Sequence, residues 1–146
     1  MNQPANSPCQ HVCTGSANLT PRLVLDAHLW VTDALLQCDG CDRLYLVEMI
    51  DYAGQLAAFR LSNLPLAHAQ QTLHNLDRGS CDIRRAGEEI ASLAGFATLL
   101  PGLVLMHQGA LRGYRSVPVA QIPRAHWRQL PCDGRWVTFI QTDAAP

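Results

Sequence analysis

The segment at residues 38–61, CDGCDRLYLVEMIDYAGQLAAFRL, decides the predicted fold. It contains two apolar runs, residues 44–52 and 56–61, which are separated by a short Ala-Gly turn. Runs of this length, rich in Leu, Val, Tyr and Phe and bounded by glycine, are typical of β-strands. A further run at residues 23–31 alternates apolar and polar side chains, as a half-buried strand does. Together the three runs predict an N-terminal antiparallel β-meander.

Two consecutive helices are predicted after the meander. Pro65 is suited to a first helical turn, and apolar side chains then recur at spacings of three and four residues. Gly79 stands where this helix should end. Ser80 or Asp82 can cap a second helix, whose apolar positions continue to Ala97.

The last third of the chain contains three more strand candidates, at residues 103–107, 111–119 and 136–140. The order of strands, helices and strands predicts an α+β fold. Its sheet is mostly antiparallel, with a zinc-knuckle-like turn in the meander and the two helices packed on one face. We expect a single domain at residues 21–141, because a chain of 146 residues is long enough for one core. A flexible arm at residues 1–20 precedes it and a frayed tail at residues 142–146 follows.

Composition excludes several classes of protein. The chain has eleven arginines and no lysine, so it lacks the lysine of phosphate-binding P-loops, of kinases and of Schiff-base enzymes. A formal net charge of −1 does not indicate a nucleic-acid-binding protein, and no motif indicates a small-molecule substrate. Arginine without lysine is typical of GC-rich bacterial genomes, and the N-terminus lacks the features of a secretory signal. We therefore expect a cytoplasmic bacterial protein.

The stretch at residues 90–111 carries no charged residue and approaches the length of a membrane-spanning helix. Pro101 and Gly102 interrupt it in the middle, and a Pro-Gly pair is a turn signal. The sequence therefore predicts a helix before this pair and a strand after it, and not a membrane span.

The strongest motif for chemistry is the pair Cys38-x-x-Cys41. Two thiolates three residues apart on a tight turn can bind one tetrahedral metal ion at about 2.3 Å. Gly40 permits the turn, and Asp42 is suited to a left-handed backbone conformation after it. Because a strand follows, the pair resembles the knuckle of zinc ribbons and rubredoxins, whereas a thioredoxin-type dithiol lies at a helix N-terminus. The expected metal is zinc, with iron as the alternative, since a four-thiolate site accepts either.

A closed site needs four ligands, and the sequence offers two ways to complete it. Cys9 and Cys13 supply one possible second pair. Cys81 and Cys132 supply the other, and Cys81 falls at a predicted helix start beside Arg84, where a thiolate would be stabilised. The spacing of the six histidines predicts no metal ligand among them.

These features favour a small non-enzymatic protein that is stabilised by zinc and docks on a larger protein partner. A catalytic zinc site leaves one position open beside a base, and no such base is recognisable. The alternative is a thiol redox or sensing protein, with Cys38 and Cys41 as a reversible disulfide and Cys81 reactive. A cysteine hydrolase using Cys81 ranks third. Metal content discriminates the first two hypotheses, because bound zinc holds both thiolates of the pair.

Overall fold

A computed structural model describes residues 7–26, 31–53, 56–107 and 110–123. Six strands form one antiparallel sheet in chain order: β1 Leu19–Asp26, β2 Val31–Cys38, β3 Leu44–Ala53, β4 Leu56–Asn63, β5 Thr98–His107 and β6 Ala110–Arg115. Helix α1, Gln10–Thr14, precedes the sheet, and helices α2, Leu66–Asp77, and α3, Ile83–Leu93, connect β4 to β5. Two short 3-10 helices, Ala94–Phe96 and Val119–Gln121, follow α3 and β6. The predicted α+β class with an antiparallel sheet is confirmed.

The two faces of the sheet belong to two separate hydrophobic clusters. On β3, Tyr45 and Val47 lie in one cluster and Leu44 and Leu46 in the other, as the two-residue period of a strand requires. All four side chains are buried. This explains why β3 reads as a continuous apolar run in the sequence and does not alternate.

The first cluster, here called the inner core, lies on one face of the sheet. It consists of Cys9, Val12, Leu19, Ala34, Leu36, Cys38, Tyr45, Val47, Phe59, Leu61, Leu100, Val104 and Met106. Helix α1 contributes Val12, which is fully buried, and also contacts β6. The side-chain oxygen of Asn18 accepts a hydrogen bond of 2.9 Å from the N–H of Leu111, so the start of β1 lies beside β6. The N-terminal segment thus lies where the first and last strands approach each other.

The second cluster, here called the helix-side core, joins strand residues to α2 and α3. It consists of Leu23, Leu35, Leu44, Leu46, Leu64, Ala69, Leu73, Ala86, Ile90 and Ala94. The apolar spacing that predicted the two helices is the spacing of their buried positions, such as Ala69 and Leu73 or Ala86 and Ile90.

The structure differs from the sequence prediction at the N-terminus and in β2. Residues 7–20 fall within the predicted arm, yet they contain α1 and the start of β1, and Cys9 is buried. Strand β2 was not predicted, because Ala34, Leu35 and Leu36 are all buried and their side chains divide between the two cores. A strand covered on both faces lacks the alternation by which strands are recognised.

The Pro101–Gly102 turn prediction is wrong. Strand β5 runs through this pair, and α3 with its 3-10 extension has already ended at Phe96. The pairing of β4 with β5 shifts register here, so the pair forms a bulge inside the strand. Gly102 has a φ of 112°, and the ring of Tyr114 occupies the space where a Cβ would lie. Among the described residues, no helix has both the length and the apolar character needed to cross a bilayer.

Candidate metal centre

The connection between β2 and β3 forms the predicted knuckle. The N–H of Cys38 donates to the carbonyl of Arg43 at 2.9 Å, and the N–H of Asp42 donates back to the carbonyl of Cys38 at 2.8 Å. Asp42 has a φ of 64°, which is the left-handed conformation expected of it from the sequence. The side-chain amide of Gln37 donates to the Asp42 carbonyl at 2.9 Å and so holds the end of the turn. The turn therefore has a fixed backbone on which the two cysteines are carried.

Helix α1 lies against this knuckle. Cys9 caps the helix, and the N–H groups of Val12 and Cys13 donate to its carbonyl at 3.1 Å. The N–H of Cys9 itself donates to the hydroxyl of Tyr45 at 2.8 Å. After the helix, the carbonyl of Asn18 accepts the N–H of Asp39, a knuckle residue, at 3.0 Å. Contacts on both sides of α1 therefore fix the N-terminal segment to the hairpin of β2 and β3.

Four potential ligand side chains converge between α1 and the knuckle: Cys9, His11, Cys38 and Cys41. One ligand atom from each lies within 4.8 Å of all the others. The sulfurs of Cys9 and Cys38, 29 residues apart in sequence, are separated by 3.8 Å. Sulfurs bound at about 2.3 Å to one tetrahedral ion stand about 3.8 Å apart. The group has the composition and spacing of a site that can hold a metal ion.

The surroundings of His11 fit such a site. Its Nδ1 is buried and has no hydrogen-bond partner in the described part of the chain. An unpaired buried nitrogen is costly unless something binds it, and a metal ion would do so. The His11 ring packs so closely on Gly40 that a Cβ at residue 40 would lie 2.5 Å from its Cδ2. The glycine of the knuckle is therefore required for the approach of the histidine as well as for the turn.

Hydrogen-bond donors surround the sulfurs. The N–H of Gly40 points to Cys38 Sγ at 3.4 Å. Burial raises the pKa of the Cys9 thiol, but hydrogen bonds from Tyr45, from the Val12 N–H and from the Cys41 and Cys38 thiols together lower it to about 7. Burial raises the pKa of Cys41 to about 11, against the hydrogen bond from the Arg43 N–H. When no metal is bound, Cys9 therefore loses its proton more readily than Cys41.

The four side chains differ in exposure. Cys9 and Cys38 are buried, His11 is half-buried and Cys41 is exposed. Three sulfurs and one imidazole nitrogen make a donor set that suits a thiophilic tetrahedral ion. Four protein ligands are the number that closed structural metal sites use, whereas catalytic sites keep one position open.

The structure brings together three of the sequence-predicted ligands, Cys38, Cys41 and Cys9. Cys13 lies outside the group: its side chain is exposed, and its sulfur is 3.8 Å from the carbonyl of Pro8. Burial, followed by the negative charge of Cys9, raises the pKa of Cys13. Sequence spacing did not single out His11. The Cys9-x-His11 pair was visible in the sequence, but nothing in it showed which side of α1 would face the knuckle.

Of the alternative pair, Cys81 does not join the group. Cys81 lies two residues before α3 and packs against the helix-side core, whereas Cys9 and Cys38 belong to the inner core. Burial and then the negative charges of Glu89 and Asp82 raise the pKa of Cys81. Together these effects outweigh the positive charge of Arg85, which lowers it. The expected stabilised thiolate at this position is therefore wrong. Cys132 lies outside the described residues.

Comparison of the chain with protein-family models, with curated proteins and with solved structures finds no match. The Cys9, His11, Cys38 and Cys41 side chains are thus the main guide to function.

Proposed function

We propose that this protein is a small non-enzymatic binding protein whose fold is stabilised by a zinc ion held by Cys9, His11, Cys38 and Cys41. The observation that carries the proposal is the convergence of these four side chains from two segments. Exposed acidic clusters often form without binding a metal, but this group includes two buried cysteines and a half-buried histidine. A buried imidazole nitrogen without a hydrogen-bond partner, such as Nδ1 of His11, is costly unless it binds something.

Zinc is the ion that suits the donor set best. Three thiolates and one imidazole in a closed tetrahedral arrangement are typical of structural zinc sites. Iron–sulfur centres and rubredoxin-like iron sites use four thiolates in most cases, and the fourth donor here is a nitrogen. Iron remains the second candidate, because the exposed Cys13 is four residues from Cys9 and offers a fourth sulfur if α1 moves.

The role of the ion follows from what it connects. Helix α1 has only five residues, which is too short to be stable alone in water. A metal bound by Cys9 and His11 on one side and by Cys38 and Cys41 on the other fixes this helix over the inner core. The binding free energy of the ion then contributes to the free energy of folding.

An accessory role on a protein partner is supported by exposed apolar side chains. Phe96 is 75% exposed and Leu66 52% exposed, whereas most large apolar side chains of the described residues are buried. Exposed aromatic side chains of this kind are common at protein interfaces. The partner itself stays a proposal without further definition.

The test is metal stoichiometry, measured by elemental mass spectrometry on untagged protein. We expect about one zinc ion per chain, lost on replacing Cys38→Ser or Cys9→Ser. The matched control is Cys13→Ser, a cysteine of the same helix outside the group; it should keep the metal. A second control, Cys81→Ser with Cys132→Ser, tests the alternative pair and should also keep it.

Replacement of zinc by cobalt(II) decides the fourth ligand. Its visible spectrum distinguishes three sulfurs and one nitrogen from four sulfurs. Loss of this signature in His11→Ala, with retention in Cys13→Ser, would support His11. The opposite result would restore Cys13 as the ligand. A wild-type protein that binds no metal after purification and after addition of excess zinc would refute the proposal.

A thiol redox function is the second candidate, favoured by the 3.8 Å separation of the Cys9 and Cys38 sulfurs. In this case a partner disulfide would be reduced to two thiols while Cys9 and Cys38 lose two protons and two electrons and form one disulfide. This distance joins Cys9 to Cys38, whereas the sequence-based alternative used Cys38 and Cys41 as the reversible disulfide. Bound zinc would hold both sulfurs and prevent this reaction, so the same metal measurement separates the two functions.

A further inference from the structure

We infer that Tyr45 is a positioning residue for the metal centre, whose buried hydroxyl holds Cys9 by accepting its N–H and donating a proton to its sulfur. The inference rests on the proposed metal binding and adds a residue outside the four ligands. Nothing in the sequence pointed to Tyr45, which reads as an ordinary apolar position of β3.

The Tyr45 hydroxyl lies beside the backbone of Cys9. Tyr45 is the second residue of β3 and is fully buried in the inner core. Its oxygen lies 2.8 Å from the N–H of Cys9, the residue that caps α1. Tyr45 therefore connects the strand that follows the knuckle directly to the first cysteine of the site.

The proton of the Tyr45 hydroxyl also needs a hydrogen-bond acceptor. A phenol has one proton to donate and also accepts hydrogen bonds, and its accepting role is taken here by the Cys9 N–H. A buried O–H also needs an acceptor. The Cys9 sulfur is the acceptor assigned to it, because this sulfur belongs to the residue whose N–H lies 2.8 Å from the Tyr45 oxygen. The side-chain hydrogen bond between Tyr45 and Cys9 agrees with this assignment.

With a divalent ion bound, the site would carry a negative charge. Three thiolates, a neutral imidazole and one divalent ion carry a net charge of −1, and two of the thiolates are buried. Buried negative charge requires hydrogen-bond donors around it. Cys38 has the Gly40 N–H at 3.4 Å, and the Tyr45 hydroxyl is the donor assigned to Cys9. The guanidinium carbon of Arg43 lies 5.0 Å from the centroid of the Tyr45 ring and adds positive charge next to this ring.

The consequence is that Tyr45 acts on the metal through Cys9. Outer hydrogen-bond partners of metal ligands orient the ligand and tune its donor strength, and their loss costs about 10- to 100-fold in metal affinity. A phenylalanine at residue 45 would fill the same space in the inner core. It would leave the Cys9 N–H without a partner and the Cys9 thiolate without its donor.

The experiment compares Tyr45→Phe with Tyr114→Phe. Tyr114 also faces the inner core and donates its hydroxyl proton to the carbonyl of Pro101 at 2.7 Å, so its variant loses a similar hydrogen bond away from the four ligands. Zinc affinity is measured by competition with a chromogenic chelator. We expect about a 10- to 100-fold loss in Tyr45→Phe and a change of less than about threefold in Tyr114→Phe.

Two readouts separate positioning from a merely structural role. The first is the sulfur-to-metal charge-transfer band of the cobalt(II) form, which should shift in Tyr45→Phe alone. The second uses the wild-type protein loaded with ¹¹³Cd, in which nuclear spin coupling across a hydrogen bond should connect the cadmium to the Tyr45 hydroxyl proton. The cadmium measurement tests the hydrogen bond from Tyr45 in the wild-type protein, so it does not depend on whether Tyr45→Phe folds.

The results distinguish a failure of the proposed metal binding from a failure of the inference about Tyr45. A wild-type protein without metal refutes the proposed function, and this is known before any variant is compared. A wild-type protein that binds metal, with unchanged affinity and an unchanged cobalt spectrum in Tyr45→Phe, overturns only the inference about Tyr45. Absence of the cadmium coupling, with coupling to the Gly40 N–H present as an internal reference, overturns it as well.

Discussion

The knuckle with α1 and the segment before α3 both place a cysteine among polar groups near a helix end, yet only the first forms a candidate metal centre. At the knuckle, three cysteines and one histidine lie within 4.8 Å of one another. Before α3, burial and then the acidic neighbours Glu89 and Asp82 raise the pKa of Cys81, which packs against the helix-side core. The difference shows that basic residues nearby in sequence do not make a reactive cysteine. Convergence of several donors on one point is required.

Hydrogen bonding also distinguishes the knuckle region from the segment before α3. The Cys38 sulfur receives the Gly40 N–H, and the Cys9 N–H donates to the Tyr45 hydroxyl. For Cys81 the dominant influences are burial and the negative charges of Glu89 and Asp82. The Cys9 thiolate is stabilised in the first region, and the Cys81 thiolate is disfavoured in the second.

The largest effect is expected from replacing a central ligand. Cys38→Ser removes a buried sulfur that lies 3.8 Å from Cys9 Sγ, so it should abolish zinc binding and lower the free energy of unfolding by about 3 kcal/mol or more. Cys81→Ser should cost about 1 kcal/mol or less and leave the metal in place. Urea denaturation in saturating zinc measures both. Equal losses in the two variants would remove the distinction between the regions.

A smaller effect is expected from adding one methyl group to the knuckle. In Gly40→Ala the new Cβ would lie 2.5 Å from the His11 ring, so the histidine must move away from the cysteines. We expect about a tenfold or greater loss of zinc affinity and a loss of about 1–3 kcal/mol in stability. The matched control is Gly95→Ala, because a Cβ at residue 95 meets nothing within 4 Å. Normal metal affinity in Gly40→Ala would argue against His11 as a ligand.

The stability of the metal-free protein should depend on pH through the knuckle region. The pKa of Cys9 is about 7 in the fold against its ordinary 9.0, so the folded protein binds fewer protons than the unfolded chain between these values. Stability from Cys9 is therefore present above pH 9 and is lost as the pH falls through 7, a change of roughly 1–3 kcal/mol.

Cys41 acts in the opposite sense. Its pKa rises from 9.0 to about 11, so its contribution is present below pH 9 and is lost as the pH rises towards 11. Cys13 and Cys81, whose pKa values are also raised, add to this loss. Thermal unfolding in chelator and reductant should show a maximum near pH 9. The rise between pH 7 and pH 9 should vanish in Cys9→Ser, and its persistence there would assign it to another group.

The smallest effect is expected where the two regions are connected. Arg22 forms an ion pair of 3.0 Å with Asp77 of α2 and donates to Gln37, which in turn holds the knuckle carbonyl of Asp42. Asp77 is 57% exposed, so Asp77→Asn should cost about 1 kcal/mol or less and leave zinc affinity unchanged. Chelator competition and urea denaturation check both values. A clear drop in zinc affinity would show that α2 and the metal centre are coupled.

The sequence determined the elements whose patterns are local. Strands β3 and β4 and helices α2 and α3 follow from apolar periodicity, and the knuckle follows from Cys38, Gly40 and Cys41 with a strand after them. The left-handed conformation of Asp42 was also expected from the sequence and is confirmed. In each case the deciding interactions lie within a few residues, so a local pattern is sufficient.

Only the tertiary structure decided the rest. Strand β2 is covered on both faces and so has no period, and Pro101 with Gly102 forms a bulge because β4 pairs alongside. The approach of α1 to the knuckle depends on Val12 in the inner core and on hydrogen bonds to Tyr45 and Asp39. These contacts turn His11, and not Cys13, towards Cys38 and Cys41. Residue type limits which side chains can bind a metal, but their convergence depends on packing between segments that are distant in sequence.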